Sequence, residues 1–190
     1  MILALLPGPS LGQESSVEIQ IAAAVQAAPA DQRAEATVLG YDKSGSLVTL
    51  RTGGNGLVCL GDDPSVSTFS VACYHQSQDP YMARGRKLSA EGITDGMERN
   101  QMRWKEAEEG SLAMPKDPAT LYVLSGKGFD PESGAVTDPY LRYVVYVPWA
   151  TLEETGLPAR PMGPGSPWLM FPGTAGAHIM ISPPPPGPGG

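Results

Sequence analysis

The sequence predicts an α+β fold, in which an antiparallel meander sheet of about five to seven strands packs against two or three helices. Short apolar runs alternate with polar turns between residues 36 and 75, a pattern typical of neighbouring antiparallel strands. Helix-capping patterns occur before and after this stretch. The chain's two cysteines, Cys59 and Cys73, lie in consecutive strand-like runs, which predicts a disulfide-linked hairpin.

The first fourteen residues have features of a processing segment. Residues 1–6 form a short apolar run, and Ser10 and Gly12 are the small residues that cleavage after Gly12 would require. The basic start of a secretory signal peptide is missing. We therefore expect residues 1–14 to be the remnant of a signal peptide from a longer precursor, or a disordered N-terminus.

A single α+β domain is predicted over residues 15–182. Its first helix is expected from residue 16 to residue 28, because Ser15 and Glu18 have the spacing of a capping box and Pro29 ends the alanine-rich run. Four strands follow, separated by turns rich in Gly, Ser, Asn and Asp. Their predicted ranges are 36–42, 47–52, 57–61 and 68–75.

The alternation of side chains along a strand predicts which residues of the hairpin share a face of the sheet with the disulfide. If Cys59 and Cys73 pair across it, His75 lies on the same face of the sheet as the disulfide, at the end of its strand. Asp79 and Pro80 follow as a favourable helix start, with Asp as N-cap and Pro in the first turn. Any site near His75 would therefore adjoin this helix.

The second half of the chain alternates helices and strands. Helices are predicted at 81–91, from about 95 to 110 and at 151–155, and the second is so polar that we expect a surface helix or a partly irregular segment. Strands are predicted at 120–125 and 141–147, joined by a long mobile loop, and shorter apolar runs occupy 168–171 and 177–182. Residues 183–190 form a Pro/Gly-rich tail, expected to be disordered or polyproline-like.

Composition restricts the compartment and the partners. The net charge of −7 disfavours nucleic acid and anionic membrane surfaces, and no segment is long enough to span a membrane. Two cysteines fourteen residues apart fit a disulfide formed in an oxidising compartment, although two buried free thiols are the alternative; they do not fit a zinc site. Together with the N-terminal segment, they predict a secreted or periplasmic protein.

Three segments carry a resemblance to other proteins: ACYHQSQDPYMARGR, LRYVVYVPWATLEETGLP and PWLMFPGTAGAHIMI. They resemble uncharacterised secreted bacterial proteins, and the likeness spans most of residues 36–182. No activity is assigned to that family. The resemblance therefore implies export and a single domain, and it implies no functional residue.

The candidate catalytic residues are His75, Asp79 and His178. The two histidines are the only ones in the chain, each lies at an end of a strand-like run, and Asp79 follows His75 by four residues. Together they could bind a metal or supply a general base. The alternative is that the histidines make unrelated structural hydrogen bonds.

Four residues are candidates for contact with a ligand or a partner: Arg84, Arg86, Trp149 and Trp168. Arginines bind carboxylates and phosphates, but two residues apart on a helix they point in different directions, so surface salt bridges are the alternative. The tryptophans could line an apolar groove or close the core. The acidic pair Asp62-Asp63 has too few neighbouring oxygen ligands to predict a calcium site.

These patterns favour a non-catalytic exported domain that binds a small molecule or protein partner, or associates with itself. The sequence contains no nucleophile elbow and no phosphate-binding loop, and we expect no cofactor and no metal. The alternative function is an exported hydrolase or metal-dependent enzyme centred on His75, Asp79 and His178. Proximity of the two histidines in a concave pocket would favour that alternative.

Overall fold

The computed structural model describes residues 16–184. The predicted signal-peptide remnant, residues 1–14, and the predicted tail beyond residue 184 lie outside this range. Between residues 16 and 184, no helix is both long and apolar enough to cross a bilayer.

The described chain contains helices and strands in the mixed order that the sequence predicts. The helices are α1 (Val17–Ala24), α2 (Asp79–Ala90), α3 (Gly96–Glu108) and α4 (Leu152–Thr155). The strands are β1 (Thr37–Tyr41), β2 (Leu47–Arg51), β3 (Leu57–Leu60), β4 (Phe69–His75), β5 (Ala119–Gly126), β6 (Gly128–Asp130), β7 (Ala135–Thr137), β8 (Tyr140–Tyr146), β9 (Trp168–Met170) and β10 (His178–Ile181).

One eight-stranded sheet organises the domain, in the order β2-β1-β3-β4-β5-β8-β10-β9. It is mostly antiparallel, which confirms the α+β prediction, but β3 pairs with β1 in parallel rather than with β2 as in a simple meander. Alternate residues of β1, Val38 and Gly40, are buried, whereas β2 contains no fully buried residue. The more deeply buried strand therefore takes the interior position, and β2 becomes an edge strand.

The disulfide lies in the core on one face of this sheet. Cys59 and Cys73 are directly opposite each other in β3 and β4, their Cα atoms are 4.0 Å apart, and both are fully buried. Helix α1 and the 3-10 turn Val25–Ala27 cover them with small side chains, including Ala24 and Ala27. We call this side of the sheet the disulfide face.

Helices α2 and α3 cover the opposite side, which we call the helix face. Tyr81 of α2 packs against Val144 and Tyr146 of β8, and Trp104 of α3 packs against the same cluster. The polar sequence of α3 predicted a surface helix or a partly irregular segment, and the structure has the surface helix. It is regular along its length, because Asp95 caps it and Trp104 and a buried Ala107 attach it to the domain.

The predicted mobile loop between β5 and β8 contains a second, two-stranded sheet. Strands β6 and β7 pair across a turn in which Gly134 has φ +69°. Phe129 and Val136 are opposite each other and pack against the cluster around Leu124 on the disulfide face. This apolar pair explains why the segment is ordered.

Candidate functional site

His75 is an exposed capping residue at the end of β4. Its Nδ1 accepts a hydrogen bond from the backbone N–H of Ser77 at 3.3 Å and lies 2.8 Å from the Ser77 hydroxyl. The imidazole thereby caps the 3-10 turn Gln76–Gln78, which leads into α2. His75 pairs with Leu57 and shares the disulfide face, as strand parity predicts.

Asp79 hydrogen bonds to a tyrosine and an arginine. Its Oδ1 accepts hydrogen bonds from the hydroxyl of Tyr74 at 2.6 Å and from Nη2 of Arg86 at 3.3 Å. Nη1 of Arg86 donates to the Tyr74 hydroxyl oxygen at 3.1 Å. Burial, reinforced by the hydrogen bond to Asp79, raises the pKa of Tyr74. The hydroxyl therefore stays protonated and donates a hydrogen bond to Asp79.

His178 is buried among aromatic side chains on the helix face. Its ring centroid lies 5.0 Å from that of Tyr146 and 5.7 Å from that of Phe171. Nδ1 is 2.7 Å from the carbonyl oxygen of Gly176, and because a carbonyl only accepts, Nδ1 carries the proton. Burial lowers the pKa of His178 and favours the neutral ring.

The structure does not bring His75, Asp79 and His178 together. Strands β5 and β8 lie between β4 and β10, so the backbones of the two histidines are roughly 14 Å apart across three strand spacings. The two imidazoles also project from opposite faces of the sheet. Within residues 16–184, no group of three or more His, Cys, Asp or Glu side chains is arranged to hold a metal ion. The centre on which the catalytic alternative depends is therefore not assembled.

Arg84 and Arg86 point in different directions, as their two-residue spacing predicts. Arg84 donates from Nε and Nη2 to the carboxylate of Glu106 on α3, at 2.6 to 3.0 Å. This ion pair joins the two helices and lowers the pKa of Glu106. Arg84 thus has a partner inside the fold, whereas Arg86 reaches the sheet and lines a cleft.

Trp149 and Trp168 lie in separate places, and partner contact stays a prediction for both. Trp149 is 43% exposed in the loop after β8, with φ +63°, a left-handed conformation that bulky residues seldom adopt. Its backbone N–H donates a 2.8 Å hydrogen bond to the backbone carbonyl of Thr174, which holds this loop in place. Trp168 is half-buried on the edge strand β9, opposite Met180.

A cleft of about 300 Å³ lies on the helix face beside α2 and extends over β1, β3 and β4. Its lining combines the apolar residues Leu47, Leu60, Val66 and Ala72 with the polar residues Tyr41, Asp62, Asp63 and Arg86. Apolar clefts that contain a few convergent polar groups are the usual form of a small-molecule site.

The polar groups of the cleft influence one another. Burial raises the pKa of Asp62, and the neighbouring Asp63 carboxylate adds to the effect. Burial likewise raises the pKa of Tyr41; the charge of Asp63 raises it further and that of Arg86 lowers it. The Tyr41 hydroxyl therefore lies within the electrostatic reach of charges of both signs. Perturbed groups gathered in a cleft are typical of functional sites.

Arg86 keeps unused hydrogen-bonding capacity at this cleft. A guanidinium has five N–H donors, and its contacts with Tyr74 and Asp79 use one donor on Nη1 and one on Nη2. Among residues 16–184, Nε–H and the two remaining N–H groups have no protein acceptor. Arg86 is thus held in position by the protein and still able to bind an acceptor from solution.

Sequence reasoning identified only one of these polar groups, Arg86, as a ligand contact. Asp62 and Asp63 were visible as an acidic pair, but no sequence pattern indicated that Tyr41 and Arg86 share a cleft with them. Strand parity from the disulfide places Leu60 and Ala72 on the opposite face of the sheet, and the register of β3 and β4 confirms it. Parity does not show which part of that face the helices leave uncovered.

No family model, curated protein or solved structure matches this chain. The resemblance to uncharacterised secreted bacterial proteins stays a prediction. Function is therefore inferred from the chemistry of the cleft.

Proposed function

We propose that this protein is a non-catalytic exported domain that binds a small, partly apolar molecule in the cleft beside α2. The observation that carries the proposal is the convergence of Asp62, Asp63, Tyr41 and Arg86 around one apolar floor. The cleft volume, about 300 Å³, is at the lower end of the range for ligand pockets, which favours a small ligand.

The remaining parts of the proposal have separate support. Export is supported by the buried disulfide between Cys59 and Cys73, because disulfides form and persist in oxidising compartments. A non-catalytic role is supported by the hydrogen bonds of His75, Asp79 and His178, each of which serves a different structural purpose.

The experiment uses four six-carbon probes that differ only in their end groups: hexanol, hexylamine, caproate and ε-aminocaproate. Each is added at millimolar concentration to the full chain while backbone amide NMR signals are followed. We expect at least one probe to produce saturable shifts at amides between residues 60 and 72, which border the cleft.

Two variants distinguish the cleft from the rest of the surface. Ala72 lines the cleft, so Ala72→Phe should fill it and abolish the shifts. Ala113 is exposed in the loop after α3, so Ala113→Phe adds the same side chain elsewhere and should leave binding unchanged. If none of the four probes shifts these amides, or if Ala72→Phe binds as the wild type does, the proposed function is rejected.

A further inference from the structure

Resting on the proposed function, we infer that the ligand of the cleft is a zwitterion with a cationic group at one end of an apolar chain and an anionic group at the other. The cationic end would bind Asp62 and Asp63. The anionic end would bind Arg86. The apolar chain would lie over Leu60 and Ala72.

The acidic end of the cleft is held in place by the backbone. Oδ1 of Asp62 accepts a 2.8 Å hydrogen bond from the N–H of Ser70, and Oδ1 of Asp63 accepts a 2.9 Å hydrogen bond from the N–H of Ser65. In the part of the chain that the structure describes, no Lys or Arg forms an ion pair with either carboxylate. Two adjacent, partly buried carboxylates without a cation are suited to an ammonium group.

The basic end is a guanidinium fixed by two neighbours. Tyr74 and Asp79 orient Arg86 through Nη1 and Nη2, and its side chain is 29% exposed. Its free N–H groups form part of a planar fork that matches a carboxylate. The ion pair with Asp79 is single and 3.3 Å long, so the guanidinium retains capacity for a second anion.

The two ends are separated by an apolar stretch of sheet. Asp62 accepts a hydrogen bond from the backbone of β4 at Ser70, and Arg86 donates one to the side-chain hydroxyl of Tyr74, four residues further along the same strand. Ala72 lies midway between them and pairs with Leu60 of β3. A ligand that satisfies both ends therefore needs an apolar spacer between its charges.

Ligands with a single charge fit the cleft less well. A simple anion would face the acidic pair and a chain of net charge −7. A simple cation would bind Asp62 and Asp63 but leave the free donors of Arg86 without an acceptor. Only an ampholyte complements both ends of the cleft.

The four six-carbon probes test this inference, with dissociation constants measured by calorimetry or NMR titration. We expect ε-aminocaproate to bind about tenfold more tightly than hexylamine or caproate, and hexanol to bind most weakly. The shorter zwitterion γ-aminobutyrate should bind more weakly than ε-aminocaproate, because its charges are too close together. Equal affinity for ε-aminocaproate and either singly charged probe would overturn the zwitterion while leaving a binding cleft in place. Absence of binding by every probe would reject the proposed function itself.

Substitutions at the two ends should affect different probes. Arg86→Gln should weaken the binding of ε-aminocaproate and caproate by about tenfold, and that of hexylamine by less than about twofold. The double variant Asp62→Asn/Asp63→Asn should weaken the binding of ε-aminocaproate and hexylamine but not that of caproate. Arg86→Lys keeps the charge and should give an intermediate loss for caproate.

Matched controls remove equal charge outside the cleft. Lys87→Gln neutralises the exposed residue next to Arg86, and Glu108→Gln/Glu109→Gln neutralises two exposed carboxylates on and after α3. Both should leave all dissociation constants within about twofold of wild type. If Arg86→Gln weakens hexylamine as much as caproate, Arg86 acts only through the fold, and the inference is wrong.

Discussion

The hydroxyl of Tyr74, buried in β4, donates a 2.6 Å hydrogen bond to the carboxylate of Asp79 in the first turn of α2. Arg86 completes the network by donating to both groups. The network joins the sheet to the helix that carries Arg86. It therefore determines where the guanidinium lies relative to the cleft.

Tyr74→Phe should destabilise the domain by about 1–2 kcal/mol, because it removes a partly buried hydrogen bond to a charged acceptor. Urea unfolding monitored by circular dichroism measures the change. Tyr143→Phe is the matched control, since Tyr143 is 40% exposed and should lose less than about 0.5 kcal/mol. An equal loss of unfolding free energy in the two variants would contradict a structural role for the Tyr74 hydroxyl.

Asp62→Asn should stabilise the protein at neutral pH. Because the folded-state pKa of Asp62 is raised above its ordinary value of 3.8, folding disfavours the ionised carboxylate. Stability is thus highest below the unfolded pKa and falls as pH rises through the folded pKa. Thermal unfolding should show a higher Tm for the variant at about pH 7 and no difference at about pH 3.

Asp95→Ala is the control for the Asp62→Asn experiment, because it removes a carboxylate that stabilises the fold. The Asp95 side chain caps α3 by accepting from the N–H of Glu98 at 2.7 Å, so its removal should cost about 1 kcal/mol at neutral pH. A lower Tm for Asp62→Asn at neutral pH would show that its carboxylate serves stability rather than binding.

Acidification should destabilise the protein through His178. Burial lowers the pKa of His178 below its ordinary 6.5, so its contribution to stability is present above that value and is lost as pH falls through the folded pKa. His178→Asn keeps an N–H donor for Gly176 and cannot titrate in this range. Its free energy of unfolding should depend less on pH than that of wild type between about pH 7 and pH 5. Equal slopes of unfolding free energy against pH for wild type and His178→Asn would contradict the role assigned to burial.

The Cys59–Cys73 disulfide should resist reductants in the native state, because both residues are fully buried. Reduction in denaturant should add the mass of two hydrogens, whereas reduction under native conditions should add none over the same period. The double variant Cys59→Ala/Cys73→Ala should have a free energy of unfolding lower by about 3 kcal/mol, as expected for a cross-link between residues this far apart in sequence. Rapid native reduction would contradict the buried position.

Gly176→Ala should destabilise the domain by about 1–3 kcal/mol, because the added methyl group would overlap the indole of Trp104 and the hydroxyl of Tyr81. Gly128→Ala is the control, since an added methyl group there meets no neighbouring atom within 4 Å. Calorimetric Tm values compare the two variants. Equal loss of stability in both would contradict the close packing of α3 against Gly176.

Local sequence patterns were sufficient to predict most strands and helices. The ends predicted for the first four strands differ from those observed by at most one residue, because turns rich in Gly, Asp and Ser mark their limits. Alternation of side chains also predicted that His75 shares a face with the disulfide. The β6–β7 hairpin was not predicted, because its order depends on the packing of Phe129 and Val136 against distant residues.

Patterns of nearby residues predict most of the helices and strands, the disulfide of the β3–β4 hairpin and the divergent directions of Arg84 and Arg86, because these features depend on segments close together in the chain. The positions of His75 and His178 on opposite faces of the sheet follow from how distant strands assemble. The same assembly places Arg86 beside the cleft that Tyr41, Asp62 and Asp63 line. That juxtaposition depends on strand order and on where α2 crosses the sheet. Both are set by the burial of non-local surfaces, which no local pattern encodes.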